Sequence, residues 1–431
     1  MMKSVEFQRS CIGDGIHYTV CLDPKFKVNR ISVYCLLPLE EQRAAARAVL
    51  ACLLTKNCRS CPSITDFSAR LDHLYGADLF GDVMKAGDSQ VLTFTAECID
   101  DRFAMEHEPL TAELTDLLLD AILDPVLENG RFPESSFRVE RQFLLDSVLA
   151  EMNNKRSYAV RRFNQVMFRG ESGSVDKLGT PETVSALTGE AAYDAWRELL
   201  RSADIEIFFT GSDHACEAEE VFRRRLGQLE RSDIYVHTVR RHQPRKTVER
   251  AGEQLDVQQA KLVMGYSLDE SVCRDKNVLR LLNSILGNSP GSRFFLHIRE
   301  EQSLCYYCSS RISAHHGYFI ADSGVEPADA ERVEEAVQKE IEDLQTNGCS
   351  PEELAAAKRY MITAMRSIPD SIPSMESWNF TRSVLSGNQS VEEDRKAIEA
   401  VTAEQIQAAA RGLKKDTVYL LSAKEARHAS V

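Results

Sequence analysis

The sequence predicts an α+β protein of two homologous domains, each a mostly antiparallel sheet with helices packed on one face. Three observations predict this fold. The 431 residues exceed one average domain. A hydrophobic content of 43% suffices for two cores. The second half repeats the element order of the first, as expected from an internal duplication. We place an N-terminal domain at 1–225, a linker region at 226–250 and a C-terminal domain at 251–431.

The first half has the order strands, two helices, strand hairpin, two long helices, strand. Two strands flank the Asp23-Pro24 turn, in "IHYTVCLDPKFKVNRISVYCLLPL". Helical spacing of apolar residues marks "EEQRAAARAVLACLLTK" and "ITDFSARLDHLYG". Alternation marks the hairpin "DLFGDVMKAG" and "SQVLTFTAEC", with its turn at Lys85–Asp88. A helix in "LTAELTDLLLDAILDPVL" is expected to stop near Pro125. One long helix is then predicted over "ESSFRVERQFLLDSVLAEMNNKRSYAVRRFNQVMF", and a strand over "DIEIFFTGSD".

The second half follows a polar, basic stretch, "HTVRRHQPRKTVERAGEQ", which is typical of a solvated linker. The order then repeats as strand "AKLVMGYSL", helices "DKNVLRLLNSILGN" and "GSRFFLHIREEQS", and hairpin "LCYYCSSRIS" and "GYFIADSGV". The next helix is predicted to end at Gly348. Another begins with Ser350 as N-cap and Pro351 at the first helical position. The strand "TVYLLSA" closes the chain.

Composition excludes several function classes. The net charge of −14 argues against nucleic acid or an anionic membrane as the main partner. We find no apolar run long enough for a signal peptide, and none near the roughly 18 residues of a membrane span. We therefore expect a cytoplasmic protein. Its 12 scattered cysteines favour buried reduced thiols over a disulfide framework.

Two Cys-x-x-Cys pairs, Cys58/Cys61 and Cys305/Cys308, together suggest four zinc thiolates. The second pair lies in a predicted strand, however, where positions i and i+3 point to opposite faces. We therefore expect no structural zinc site.

The stretch "SRFFLHIREEQSLCYY" resembles the second domain of insulinase-type (pitrilysin-clan, inverzincin, mitochondrial-processing-peptidase-like) zinc peptidases. In that family an arginine, and a tyrosine seven residues later, reach across to a zinc site on another domain. Arg299 and Tyr306 stand at that separation. The stretches "IADSGV", "SPEELAAAKRYM" and "VDKLGTPETVSALTGEAAYDAWRELL" are also similar, so the resemblance runs from about residue 15 to about residue 425.

The chemistry of that family uses H-x-x-E-H on a helix of the first domain, with two zinc-binding histidines and a glutamate as general base. The resemblance puts Ala48, Ala51 and Cys52 in those slots. No two of the ten histidines are four residues apart, so neither H-x-x-E-H nor H-E-x-x-H occurs. Glu140 lies near the family's third-ligand region and is interpreted as a helix glutamate in a surface ion pair. We therefore expect no metal on this chain and no hydrolysis by it alone.

The resemblance implies a non-catalytic, substrate-binding subunit of a heterodimeric metallopeptidase that acts on peptides. Arg299 and Tyr306 would serve the zinc site of a homologous partner subunit, which would carry the zinc. As simpler interpretations, Arg299 pairs with neighbouring glutamates and Tyr306 is a sheet-face aromatic. The alternative function is an inactive homodimer that binds peptides or acts as a scaffold. A third hypothesis is unrelated chemistry at a reactive cysteine, although the sequence places no histidine beside one.

Overall fold

The computed structural model describes residues 6–151, 153–385 and 390–423. The strands of these residues are β1 Gln8–Gly13, β2 Ile16–Leu22, β3 Val28–Pro38, β4 Asp78–Ala86, β5 Ser89–Ile99, β6 Asp204–Gly211, β7 Glu249–Leu255, β8 Ala260–Leu268, β9 Cys305–Ser313, β10 Tyr318–Val325 and β11 Leu413–Ala423. The α-helices are α1 Glu41–Ala48, α2 Leu50–Leu53, α3 Ile64–His73, α4 Leu110–Leu123, α5 Glu134–Glu151, α6 Lys155–Met167, α7 Pro181–Ser185, α8 Gly189–Ser202, α9 Ala215–Leu226, α10 Lys276–Leu286, α11 Ala330–Asn347, α12 Pro351–Arg366, α13 Ile372–Leu385, α14 Val391–Ala400 and α15 Ala403–Arg411. A π-helical segment spans Phe294–Glu301.

These elements form two compact units. The first unit contains the chain up to Leu149, Val175–Thr238 and Ile368–Ser390. The second contains Ala150–Ser174, Val239–Ser367 and the chain from Val391 onward. Two helices therefore belong to the unit built mainly from the other half of the sequence: α6 to the second and α13 to the first. The domain boundaries at residues 225 and 251 stay predictions from the sequence. Each unit is a set of residues in contact and contains several separate stretches of the chain, so the units do not test a single boundary along the sequence.

The first unit is built on a six-stranded sheet in the order β1-β2-β6-β3-β5-β4. Its strand pairs are antiparallel except β2 and β6. One face packs against the main core, where strand residues such as Ile31 meet helix residues such as Leu114. On the other face Phe380 of α13 stacks on Tyr34 at 4.6 Å between ring centroids. The α13 helix thus covers the second face of this sheet.

The second unit has a five-stranded sheet in the order β7-β11-β8-β10-β9, in which β7 and β11 are the parallel pair. Phe163 and Met167 of α6 pack with Val263 and Tyr419 on one face. The α11 helix contacts β8 and β10. The predicted α+β class with mostly antiparallel sheets is confirmed. Each sheet additionally carries one helix that comes from the other half of the chain.

The single long helix predicted after residue 134 is wrong, since the structure has α5 and α6 in its place. Asn154 caps α6 by accepting a hydrogen bond from the Ser157 backbone N–H at 3.1 Å. Asparagine side chains compete for backbone hydrogen bonds inside a helix and are favoured at N-caps. This break separates α6 from α5 and allows it to join the second unit.

The β4–β5 turn and the caps of α11 and α12 were predicted correctly from local sequence. Gly87 takes a φ of 57° between β4 and β5, a conformation that glycine adopts at little cost. Gly348 ends α11 with a φ of 77°. Ser350 and Glu353 form a capping box at the start of α12, with Pro351 in its first turn. Within the described residues, we find no helix with the length and apolar character that a membrane crossing requires.

Candidate functional site

The residues in the zinc-motif slots lie where two short helices meet. Ala48 ends α1, and Ala51 and Cys52 belong to α2. Ala48 and Ala51 are only 1% and 3% exposed and form part of the first unit's core. A Cβ added at Gly81 of β4 would lie 2.1 Å from the Ala51 carbonyl oxygen, so strand and helix backbones are in close contact. The helix at these slots is packed as core.

The donor set at these slots does not fit a zinc ion. Two alanine methyl groups offer no ligand atom, and zinc binds cysteine as the thiolate. Burial, together with the smaller effect of the Glu140 charge, raises the pKa of the Cys52 thiol to about 11. Cys52 is therefore protonated at neutral pH and behaves as a small apolar residue.

Glu140 differs from the prediction. The expected surface ion pair is wrong: Glu140 is 8% exposed on α5, and the described residues provide no ion-pair partner for it. Burial raises the pKa of its carboxyl, while the charge of Lys56 opposes the rise. A glutamate is thus buried close to Cys52, and no ion pair among the described residues compensates its charge.

Arg299 lies on the π-helical segment that precedes β9 in the second unit. Its guanidinium packs over the Phe295 ring, 4.8 Å from the centroid, and Nη1 is 3.7 Å from Glu300 Oε1. The side chain is 42% exposed, so this ion pair is weak. Arg299 is held by its neighbours yet is available to a ligand.

Tyr306 follows on β9 and is 53% exposed. Its hydroxyl donates a hydrogen bond to Glu326 Oε1 at 2.6 Å, which raises the pKa of the phenol. A β-bulge lies at this position: Tyr307 pairs with Gly324 but Cys305 already pairs with Val325, so Tyr306 is the extra residue. Bulges redirect a side chain out of the regular pleat.

The bulge corrects the prediction for Cys305 and Cys308. They do not point to opposite faces, because the extra residue reduces their separation from three register positions to two. The neighbouring Cys308 side chain, more than Ser323 and the charge of Arg299, lowers the pKa of the Cys305 thiol to about 7, against the effect of burial. Cys308 is 5% exposed, whereas Cys305 is partly exposed. Opposite the bulge on β10, Gly324 makes room for the Tyr307 ring, since a Cβ there would lie 2.4 Å from Tyr307 Cε1.

Sequence reasoning also missed Arg156, which α6 brings to this sheet. Its Nε donates to Asp322 Oδ2 at 2.6 Å and its guanidinium lies 4.3 Å from the Tyr307 ring centroid. Asp322 is 4% exposed and Arg156 is 49% exposed. Because α6 was predicted as part of a longer helix in the first domain, nothing in the sequence associated Arg156 with this strand.

A separate group of ligand-type side chains, His17, Asp204 and Glu206, lies on β2 and β6 of the first unit. The Nδ1 atom of His17 lies 3.5 Å from Glu206 Oε1. Arg9 donates to both carboxylate oxygens of Glu206. Burial and the charge of Glu206 raise the pKa of Asp204 to about 6. Arg9 therefore already supplies the positive charge that this group requires.

Comparisons with known proteins identify the relatives of this chain. Residues 186–361 match the family model described as Peptidase M16 inactive domain. A Bacillus subtilis protein named probable inactive metalloprotease YmfF is 24% identical over 419 residues, which cover 95% of this chain and 96% of that protein. The predicted likeness to the insulinase-type, or M16, peptidases and to their inactive members is confirmed.

Solved structures show the same fold. A conserved protein from Enterococcus faecalis superposes with a TM-score of 0.90 at 22% identity, covering 98% of this chain and 99% of that one. A Pseudomonas fluorescens protein titled peptidase M16 inactive domain superposes with a TM-score of 0.79 at 16% identity, with the same coverage. At these identities the likeness shows the fold alone.

Proposed function

We propose that this chain, an inactive homologue of the M16 peptidases, is the non-catalytic, substrate-binding subunit of a heterodimeric zinc peptidase that acts on peptides. The observation that carries the proposal is a contrast between two sites. The zinc-motif slots hold Ala48, Ala51 and Cys52, which cannot serve a metal, whereas Arg299 and Tyr306 are exposed and positioned. Retaining only the residues that contact substrate is useful when a second polypeptide supplies the metal.

Each residue has a defined role in this proposal. The Tyr306 hydroxyl would donate to the substrate carbonyl and to the oxyanion that forms as the partner's zinc-bound water attacks. The Arg299 guanidinium would hold a backbone carbonyl or a carboxylate of the peptide. Glu326 positions the Tyr306 ring until substrate arrives, since its hydrogen bond of 2.6 Å engages the same hydroxyl. The substrate oxygen must therefore replace Glu326 as acceptor.

The partner required is a homologue that carries H-x-x-E-H and binds zinc. No metal is needed on this chain for the roles of Arg299 and Tyr306. The same residues would serve peptide binding in a homodimer, so the test must separate a binding protein from half of an enzyme.

The test measures cleavage of a library of fluorescence-quenched peptides. It compares this chain, the homologue with H-x-x-E-H whose gene lies nearest in the genome, and a mixture of the two proteins. Metal content is measured on each protein. We expect cleavage in the mixture alone, with zinc on the partner alone. If the two proteins form no complex and their mixture cleaves no peptide, the proposal of a heterodimeric peptidase is wrong. Peptide binding by this chain alone would then favour the homodimer.

The matched variants are Tyr306→Phe and Tyr360→Phe. Both residues are exposed tyrosines of the second unit, 53% and 44% exposed. We expect Tyr306→Phe to lower kcat of the mixture by about 10²–10³-fold, the usual effect of removing one oxyanion donor. Tyr360→Phe should leave kcat unchanged. Equal kcat for both variants would remove Tyr306 from the proposal.

A further inference from the structure

We propose that a cavity in the first unit binds a small organic anion, in which a carboxylate or phosphate group is attached to an apolar body. None of the roles proposed for Arg299 and Tyr306 uses this cavity, so the proposal does not depend on peptidase activity.

The cavity has a volume of about 870 Å³ and is lined by residues of α1, of α8 and of the segment 229–232. Its apolar surface includes Ala46 of α1 and also Ala195, Trp196 and Leu200 of α8. Small-molecule sites typically measure about 300–1,000 Å³ and are mostly apolar with a few polar groups. The cavity therefore has the size and the apolar surface that a small organic ligand requires.

Four arginines also line the cavity: Arg43, Arg197, Arg201 and Arg231. Hydrogen bonds hold the segment 229–232 against the last turn of α8. The Ser232 backbone N–H donates to the Arg201 carbonyl at 3.1 Å. Arg231 Nη2 donates to the carbonyl of Ala203, which is the C-cap of α8. Arg201 and Arg231 are therefore neighbours on the cavity wall.

The two arginines of α8 carry charges that no ion pair of the described residues neutralises. Arg197 and Arg201 are exposed and one helical turn apart, a spacing at which like charges repel. Glu198 lies between them in the sequence, but its carboxylate accepts hydrogen bonds from Arg43 and Arg47. An anion bound across Arg197 and Arg201 would relieve their repulsion.

Arg231 adds a second uncompensated charge. Its Nε and Nη1 atoms are buried and find no hydrogen-bond acceptor in the described part of the chain. Burial lowers the pKa of its guanidinium, against the smaller effect of nearby groups such as Asp204. A buried charge without a partner is unfavourable, and an anion in the adjoining cavity would offset part of that free energy.

Two exposed carboxylates, Asp194 and Glu230, also line the cavity. Within the ranges that the structure describes, neither forms an ion pair with the arginines of the wall. Arg197 and Arg201 are therefore available to bind an external oxyanion in the bidentate geometry of guanidinium groups. Arg231 increases the positive potential at that position.

Trp196 provides a spectroscopic probe of the cavity. It is 7% exposed, and its indole N–H donates to the Ile122 carbonyl at 2.8 Å, so the ring is fixed at the cavity surface. The chain has one other tryptophan, Trp378 on α13. In a Trp378→Phe variant the tryptophan fluorescence comes from Trp196 alone, so a ligand in the cavity should change it.

The test titrates the full chain with phenyl phosphate and with 3-phenylpropionate at constant ionic strength. Isothermal titration calorimetry measures the Kd, and Trp196 fluorescence reports on the site. Benzyl alcohol presents the apolar body without the charge. We expect at least one anion to bind with a Kd at least about 10-fold below that of benzyl alcohol, the effect of one charged hydrogen bond. The anion with the lower Kd shows whether the site prefers phosphate or carboxylate.

The cavity variant is Arg197→Gln with Arg201→Gln, and its control is Arg70→Gln with Arg138→Gln. Each removes two positive charges from the first unit. Arg70 and Arg138 are 41% and 70% exposed and do not line the cavity. We expect the Kd to rise about 10-fold to 100-fold in the cavity variant and to stay unchanged in the control.

Circular dichroism verifies that both double variants fold. If neither anion binds more tightly than benzyl alcohol, or if the control raises the Kd as much as the cavity variant does, the proposal is wrong. Anion binding that leaves the Trp196 fluorescence unchanged would place the bound anion outside the cavity and would also overturn it.

Discussion

The helix that carries the zinc-motif slots and the strand that carries Tyr306 have opposite characters. At the slots, Ala48 and Ala51 are packed into the core and a strand backbone lies directly against α2. Along β9, a bulge, an exposed phenol and an activated thiol stand beside exposed Arg299. A site that has lost its metal ligands is filled by its own core. The region that we propose to contact substrate keeps polar and accessible groups.

The largest effect is expected from restoring the ligand-type residues at the zinc-motif slots. Ala48→His, Ala51→Glu and Cys52→His together should destabilise the fold by at least about 3 kcal/mol, because large polar side chains are forced into packed positions. Urea unfolding measures the loss and metal analysis measures zinc. The single variant Cys52→His, at the partly exposed slot, should cost less than about 1 kcal/mol.

If the triple variant folds normally and binds one zinc ion per chain, then only the ligand side chains are missing at these positions. The description of this region as repacked core would then be wrong.

A second test addresses the polar network under β9. Arg156→Ala removes the partner of buried Asp322 and the cation over Tyr307. Since Arg156 is half exposed, we expect a loss of about 1–2 kcal/mol in urea unfolding. Arg169→Ala, which breaks an exposed pair with Glu249, should change stability by less than about 0.5 kcal/mol. If both variants lost the same free energy of unfolding, the ion pair between Arg156 and Asp322 would contribute nothing to stability.

The smallest effect is expected at Glu140, a buried carboxyl near the slots. Its folded-state pKa is raised above the usual 4.5, so the native state loses stability as pH rises from 4.5 through the folded pKa. Glu140→Gln should therefore stabilise the chain by about 0.5–1 kcal/mol at pH 7, and the gain should vanish below pH 4.5.

Glu134→Gln on the same helix is the control, since Glu134 is 71% exposed. The free energy of unfolding of the Glu134→Gln variant should equal that of the unmodified chain at every pH. A destabilised Glu140→Gln variant at pH 7 would mean that the carboxylate has a stabilising role that the contacts do not reveal.

Part of the fold and part of the candidate site could be predicted from the sequence. The alternation of β4 and β5 and the caps at Ser350 and Gly348 are local signals, and they gave the α+β class. The separation of Arg299 and Tyr306 identified a region that the structure places on a π-helical segment and the adjoining strand. That these residues contact substrate stays a prediction.

The rest depended on tertiary contacts. Apolar periodicity shows that α6 and α13 bury a face, but not which sheet they cover. The burial of Glu140 and the approach of Arg156 to Asp322 follow from those packings. The helix break had a local signal in Asn153 and Asn154, where two asparagines interrupt the helical pattern, whereas the bulge at Tyr306 had none on its own strand.

The exchanged helices also set an order of events during synthesis on the ribosome. The strands of the first sheet are complete once Gly211 has emerged, yet the face around Tyr34 and Phe208 stays uncovered until α13 is made. Conversely, α6 is made before any strand of its own sheet. A nascent chain therefore exposes an apolar sheet face from the emergence of Gly211 until α13 is made, and neither half of the gene encodes a fully covered sheet.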